Sequence, residues 1–331
     1  MKPPHRRKFL HLAAGAAVLP FATLSAKAQA YPSRPITMIV PFAAGGAVDT
    51  TARNLAPRLS EILGQQVVVE NIGGAGGMTA ASRVAKAPPD GYQILLGNAG
   101  THAINQTLYK KPLYDAVGDF EPIGMVARAF FVLIARKDLP AVTLPEFIAY
   151  ARANHAKMQF ASAGAGSTTH LVCLMLGNTI GAEIAHVPYR STAIAMQDLI
   201  AGRLDFICEP INSGMPQIQG NTVKAIAFLG ANRSPVLPDL PTAAEQGSPE
   251  LVVSGWNALF APKGTPGAII RRLSEAASEA LETISVRERI EAVGYGVPPL
   301  DERSPTYLAN LIPAEIKRWA GPIKASGVLM D

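Results

Sequence analysis

Ile36-Thr37-Met38-Ile39-Val40-Pro41-Phe42-Ala43-Ala44-Gly45-Gly46-Ala47-Val48-Asp49 is the stretch from which the architecture can be read. Its first five residues form the apolar run of a strand buried in a parallel sheet. The run enters a Gly-rich turn, and a helix starts near Asp49. Leu55, Leu59, Ile62 and Leu63 share one face of that helix, and Gly64 stops it. Pro57 falls inside the helical pattern and is expected to kink or divide it. The unit repeats twice. Residues 67–69 read as a strand, followed by the turn 70–77 and a helix through Val84. Residues 92–96 read as the next strand, ending at Gly97-Asn98-Ala99-Gly100-Thr101. Strands alternating with helices in this way predict a doubly wound sheet.

The pattern restarts past residue 130. The apolar run 130–135 reads as a crossing into a second lobe. Strands follow at 158–161 and 185–189, helices at 168–176 and 193–201, and further strands at 205–208 and 223–228. The run 256–262 reads as the return crossing, and helices at 266–281 and 304–319 close the first lobe. The expected fold is therefore α/β: a two-lobed clamshell, each lobe a doubly wound, mostly parallel sheet. Residues 31–132 plus 256–331 form lobe 1 and residues 133–255 form lobe 2. A length of 331 residues agrees, because it exceeds the usual single hydrophobic core.

Composition narrows the function. Hydrophobic residues make up 48% and charged residues 17%, which excludes a disordered tail or a coiled coil. After residue 30 no run of 18 apolar residues occurs, so the body is not expected to span a membrane. The net charge of +5 comes from Lys2, Arg6, Arg7, Lys8 and Lys27. Without residues 1–30 the chain has 25 basic (30 − 5) and 25 acidic residues. A nucleic-acid partner thereby loses its electrostatic support. Those first 30 residues have a basic start, an apolar stretch at 12–24 and Ala-x-Ala sites at 26–28 and 28–30, the pattern of an export signal. Arg6-Arg7 before Phe9-Leu10 resembles a twin-arginine signal, although His5 stands where Ser or Thr is usual; a Sec leader carrying two arginines is the alternative. The mature chain is expected to start at Gln29 or Tyr31.

Three strands run into Gly-rich turns that open helices, at 43–48, 73–77 and 164–169. Glycines let a backbone approach a ligand, and a first helical turn directs unpaired N–H groups at it. A helix N-terminus binds anions without a basic side chain, and the carboxyl ends of parallel strands are where open α/β sheets hold ligands. No Lys or Arg lies within the three turns, which points to a small carboxylate and away from a polyphosphate. Ser167, Thr168 and Thr169 add hydroxyls; one is expected to cap the helix and at least one to touch ligand. Asp49 either caps its helix or receives a ligand ammonium or hydroxyl, and Tyr189 either faces the cleft or walls the core.

Other chemistries find little. Gly45-Gly46 with Glu70 about 25 residues on is a weak dinucleotide pattern lacking G-x-G-x-x-G. There is no G-x-S-x-G elbow, and Ser167 lies within one helical turn of His170. Cys173 and Cys208 have apolar neighbours and read as buried free thiols, with a disulfide as the alternative. The histidines show no metal-ligand spacing. No cofactor and no metal are expected.

Pro41-Phe42-x-x-Gly45-Gly46-x-x-Asp49-x-x-Ala52-Arg53, Val68-Val69-Glu70-Asn71 with Gly74-Ala75-Gly76-Gly77, and Pro89-Asp90-Gly91-Tyr92 resemble the Bug (TctC-like) family. So do Gly164-x-Gly166-Ser167-x-x-His170-Leu171, His186-Val187-Pro188-Tyr189, Asp198-Leu199-x-x-Gly202-x-x-Asp205 and Ala261-Pro262-x-Gly264-Thr265-Pro266. These are periplasmic substrate-binding proteins of tripartite tricarboxylate transporters, and the resemblance covers essentially the whole mature chain. It implies a type II clamshell and a small carboxylate held between the lobes, partly through ordered water. Carried over by position, it implies ligand contacts from Phe42, Ala43, Gly45, Gly46 and Asp49 and from Gly164, Gly166, Ser167 and Thr168, with Asn98, Thr101 and Asp205 as further positions. The sequence departs from the family at Ala44 (usually Pro), Ile72-Gly73 (Arg-Pro), Ser191 (Gly) and Ile194 (Pro), changes that bear on the cleft rim.

The expected protein is thus a monomeric, non-enzymatic periplasmic receptor that passes a carboxylate to the integral membrane subunits of a tripartite tricarboxylate transporter. Two other readings stay open: an exported, cofactor-binding oxidoreductase, which a twin-arginine signal would suit, and a ligand-sensing partner of a membrane sensor kinase.

Overall fold

The structure is a computed structural model that describes residues 31–292, 294–325 and 329–330. The expected leader at residues 1–30 lies outside the described residues. The chain runs β1 (Ile36–Val40), α1 (Ala47–Leu63), β2 (Val67–Asn71), α2 (Met78–Ala85), β3 (Gln93–Asn98), α3 (Asn105–Leu108) and β4 (Phe120–Arg136). It continues through α4 (Leu144–Asn154), β5 (Gln159–Ser162), α5 (Thr168–Ile180), β6 (Ala185–Pro188), α6 (Thr192–Ile200), β7 (Phe206–Pro210), α7 (Ile211–Gln219) and β8 (Val223–Phe228). β9 (Ser254–Pro262) returns, and α8 (Gly267–Glu282), α9 (Ile284–Ala292) and α10 (Pro305–Ala325) follow.

The strands are ordered β2-β1-β3-β9-β4-β7-β5-β6, with β8 also on β4. β4 is the 17-residue strand common to both halves. Its residues Phe120 to Phe130 pair antiparallel with β9. From Phe131 onward it pairs antiparallel with β7 and β8 instead. In the first half β1 pairs parallel with β2 and β3; in the second β5 pairs parallel with β6 and β7. Each lobe therefore carries one strand against the common direction, β9 in the first and β4 in the second.

Local physics explains most boundaries. α1 buries Ala52, Leu55, Ala56, Leu59 and Leu63 along one face, and Gly64 ends it with a left-handed φ of 69°, a conformation that favours glycine. Pro57 does not divide it: the helix is continuous from Ala47 to Leu63, because its buried stripe packs on both sides of the proline. Besides the single turn of α3, the helices α4, α7 and α9 lie outside the sequence-based expectation. α4 carries a readable signal, a capping box in which Thr143 accepts from the Glu146 N–H and Glu146 answers the Thr143 N–H. α7 carries almost none. Gly214 and Pro216 lie within it, and it packs against β4, where a Cβ on Gly214 would come within 2.5 Å of Ile134. Packing, not propensity, makes that helix.

Behind the sheet of the first lobe, α8 and α10 pack on β4 and α1 packs on α8. Phe260 is fully buried, stacked on the His102 ring at 3.6 Å between centroids and edge-on to Phe120. Burial holds the His102 imidazole neutral, with its pKa pushed down to about 3. In the second lobe Cys173 and Cys208 are buried free thiols, and the Cys208 N–H donates to Cys173 Sγ at 3.1 Å. Burial pushes the Cys208 thiol well up from its ordinary value.

Phe260→Ala should remove the ring at the centre of the first-lobe aromatic cluster and cost about 3–5 kcal/mol. Urea unfolding is the check; a loss below about 1 kcal/mol would mean that this core is loosely packed.

Candidate ligand-binding cleft

In the first lobe the turn after β1 is built by Asp49. Gly46 is the N-cap of α1, with extended backbone and no side-chain cap, which leaves the first N–H groups of the helix without a side-chain acceptor. Asp49 reaches back from the third helical position, and its Oδ2 accepts from the Gly45 N–H (2.9 Å) and Arg53 Nε (2.8 Å). Its Oδ1 accepts from Asn71 Nδ2 (2.9 Å), which also donates to the Phe42 carbonyl (3.0 Å). Burial opposes ionisation of Asp49, but Arg53, the Gly45 N–H and Asn71 together hold its pKa below the ordinary value. Asp49 is thus neither an N-cap nor a free acceptor; it braces the turn.

In the second lobe the three expected hydroxyls divide their roles. Ser167 caps α5 by accepting from the His170 N–H. Thr169 Oγ1 accepts from the Ala163 N–H (2.9 Å) and lies 3.0 Å from Ser167 Oγ. Thr168 Oγ1 is buried without a partner among the described residues. Ser191 begins α6 as an N-cap that makes no cap bond, and its Oγ is also buried and unpartnered.

Between the lobes lies a small cavity of about 40 Å³. Its polar lining comes from Asn98, Ser167, Thr168, Thr169, Ser191, Thr192 and Asn257, and Phe42, Phe131, Trp256 and Tyr295 supply aromatic walls. No Lys, Arg, Asp or Glu is among the lining residues.

Five of the sequence-predicted residues line this cavity: Phe42, Gly46, Asn98, Ser167 and Thr168. Ala43, Gly45 and Asp49 shape the turn behind it. Thr101 is fully buried and positions Asn98, its Oγ1 accepting from the Asn98 N–H and its own N–H donating to Asn98 Oδ1. Asp205 is a correction. It precedes β7 at the opposite end of the sheet, where Oδ1 accepts from Arg136 Nε (3.0 Å) and Oδ2 from the Gln159 N–H (2.7 Å). Tyr189 does not line the cavity either; its hydroxyl donates to Asp198 at 2.6 Å. Glu70, the residue of the dinucleotide pattern, is paired with both terminal nitrogens of Arg83.

The remaining loop residues close the rim. The Ala43 N–H donates to the Arg190 carbonyl across the cleft (3.2 Å), and Asn212 Nδ2 to the Ala47 carbonyl (2.9 Å). Gly76 of the first lobe sits against Ala165 and Gly166 of the second, so close that any Cβ there would overlap the Ala165 carbonyl. Asn105 Nδ2 holds the Gly76 carbonyl (3.3 Å), and the Tyr109 hydroxyl donates to the Ala165 carbonyl (3.0 Å). A Cβ on Gly166 would meet Asn105 Oδ1 at 2.6 Å and the Tyr109 ring at 2.7 Å. Gly164 and Gly166 therefore serve the contact between lobes and do not line the cavity.

Among the lining residues, Phe131, Thr192, Trp256, Asn257 and Tyr295 escaped the sequence reading, and Ser191 was read as a change at the cleft rim but not as a ligand contact. Ser191 and Thr192 stand where a strand ends and a helix begins, the same signal used for Ser167. Phe131, Trp256 and Asn257 lie on the crossing strands, which must pass under any cleft between two lobes. Tyr295 follows α9 and had no signal. Beneath Pro210 lies Glu209, 1% exposed, with Ser213 donating to Oε1 and Oε2 unpartnered. Burial raises its pKa to about 7 against the bond from Ser213.

Gly166→Leu should wedge the lobes apart and weaken ligand binding at least tenfold, and the strain of a side chain at a φ of +84° should also lower the melting temperature of the unliganded protein; calorimetry and a melting curve read the two effects. For Asp49→Asn the effect should depend on pH. A carboxyl with a depressed native pKa stabilises fully above its unfolded value, near 4, and loses that stabilisation as pH falls through the native value. The variant should therefore be less stable than wild type at pH 7 and converge with it in acid. Denaturant titrations at pH 7 and pH 3 with a constant difference would refute the brace.

The sequence profile of the "Tripartite tricarboxylate transporter family receptor" (TctC) matches residues 51–328. An Agrobacterium vitis protein, "UPF0065 protein in the TAR-I ttuE-ttuC' intergenic region", is 40% identical over 321 residues, covering 97% of this chain and 92% of its own. Among solved structures, that of the periplasmic binding protein BugD has a TM-score of 0.88 at 39% identity, covering 91% of this chain and all of its own. MatC from Rhodopseudomonas palustris, with bound malate, has a TM-score of 0.86 at 38% identity, covering 88% of this chain and all of its own. With a family match over most of its length and relatives of this similarity, the chain belongs to the TctC (Bug) family of two-lobed periplasmic binding proteins.

Proposed function

We propose that this chain is an exported, non-enzymatic solute-binding protein that captures a small carboxylate between its lobes in the periplasm. Residues 31–132 and 256–331 act as one lobe and residues 133–255 as the other, closing by a hinge motion. The carrying observation is the cavity lining. Three helices, α1, α5 and α6, begin at it, and two buried hydroxyls there lack partners. Helix N-termini and hydroxyl donors favour a negative charge, and the lining has no acid to repel one. The malate in the MatC structure is a carboxylate of the proposed kind. The family's description as a transporter receptor supports delivery to integral membrane subunits as the next step.

A thermal-shift screen of refolded, ligand-stripped protein lacking residues 1–30 tests this reading. The panel contains mono-, di- and tricarboxylates, acidic amino acids and nicotinamide dinucleotides. Ligand at 100 times its Kd stabilises by about 2.7 kcal/mol, and at least one carboxylate should reach that. A dinucleotide response with silent carboxylates would replace the receptor by the oxidoreductase reading.

A further inference from the structure

The cavity is chemically divided, and the division follows the sheet order. Thr168 and Ser191 stand just beyond β5 and β6, which are paired neighbours at one side of the second sheet. Phe131 and Trp256 lie on β4 and β9, the crossing strands. The Phe131 ring lies over Gly255, where a Cβ would be 3.2 Å away, so the backbone there is kept bare beneath it. Trp256 spends its one donor away from the cavity, on Glu315 Oε2 at 3.2 Å, which leaves the indole as an apolar wall.

The two orphan hydroxyls set the polar end. Ser191 is 0% and Thr168 6% exposed; each lines the cavity and has no hydrogen-bond partner among the described residues. A buried hydroxyl left unsatisfied is costly, so both are placed for a ligand atom. Ser191 also sits at the start of a helix it does not cap, so its hydroxyl is not committed to the backbone. The aromatic end has no cation and no second pair of unpartnered hydroxyls to receive another charge. Asn257 Nδ2 is engaged by Thr51 Oγ1 at 3.2 Å, and the wall formed by Pro210 and Tyr295 backs onto the buried carboxyl of Glu209.

Resting on the receptor reading above, we infer that the ligand is a monocarboxylate with an apolar aliphatic or aromatic body. Ser191 and Thr168 donate to its carboxylate, and Phe42, Phe131 and Trp256 enclose the body. A second carboxylate at the aromatic end would lose its water and find there no cation and, as side-chain donor, the Tyr295 hydroxyl alone. Ser191 is the added anchor in this arrangement: it supplies a carboxylate donor at a position where the resemblance described above has glycine.

Matched acids test this by calorimetry on the ligand-stripped protein lacking residues 1–30. Hexanoate is compared with adipate, benzoate with terephthalate and with benzamide, and malate is included. One of the two monocarboxylates should bind at least tenfold more tightly than its dicarboxylate partner and than malate. If that one is benzoate, benzamide should lose at least tenfold. Ser191→Ala should weaken the preferred acid about tenfold with the unliganded melting temperature unchanged; Ser191→Gly serves if the alanine variant folds poorly. Adipate, terephthalate or malate binding as tightly as the monocarboxylates would overturn this inference and leave the receptor reading standing. Unchanged affinity in the Ser191 variants would overturn the role of that hydroxyl. If no acid of either class binds here or in the broader screen, the receptor reading falls and the inference with it.

Discussion

Strand β4 belongs to both sheets, and its continuity decides where a ligand can sit. Its first eleven residues pair with β9 and its last six with β7 and β8. Tracing the pairings through β9 gives β1 and β3 the same direction as β4, toward the boundary between the lobes. β7 runs against β4, and β5 and β6 run with β7, so they approach the same boundary from the other side. The carboxyl ends of both sheets face each other as a result. Every Gly-rich or hydroxyl-rich turn that follows such a strand is delivered to one cleft, and each brings a helix N-terminus with it.

The turns then separate into those that meet a ligand and those that meet each other. The turn after β1 and the starts of α5 and α6 line the cavity, whereas the 73–77 turn lies against residues 164–166 at the rim. Glycine serves different ends in the two groups. Gly46 exposes a helix start by having no side chain to cap it. Gly76 and Gly166 have φ values of +59° and +84° and backbone from the opposite lobe within contact distance. A side chain at either would hold the lobes apart, so their glycines are a condition of closure.

Much of this was legible in the sequence, for identifiable reasons. The buried strand at 36–40, its Gly-rich turn and the helix stop at Gly64 are local signals, and local structure obeys them. Thr168 and Ser167 were found because strand-to-helix junctions announce themselves. Asp205 was misplaced because a motif position says nothing about which end of a strand a residue occupies; its carboxylate serves Arg136 and the Gln159 N–H. Of the aromatic walls, Phe42 was found and those on the crossing strands were missed for a related reason. Phe131 and Trp256 read as ordinary core residues of apolar strands, and only the partner switch in β4 reveals that those strands pass beneath a cavity. α7 escaped because packing on β4 outweighs the poor helix propensity of Gly214 and Pro216.

An anion site without a cation suits a protein that must also let go. A lysine or arginine in a closed cavity would need its own partner whenever the ligand left, since an unpaired buried charge costs several kcal/mol. Hydroxyls and helix N–H groups carry no net charge, so the unliganded cleft can open to water without that penalty. Their combined strength is still sufficient. A hydrogen bond to a charged group contributes about 1.5–3 kcal/mol and a helix N-terminus about 0.3–1 kcal/mol, more where partly buried. Two hydroxyls and three helix starts thus reach roughly 4–9 kcal/mol, the range in which a micromolar complex, about 8 kcal/mol, lies. Apolar contact with Phe42, Phe131 and Trp256 adds to this and offsets the lost freedom of the ligand. Discrimination between acids then falls to the aromatic end, because the polar end sees only the carboxylate that all of them share.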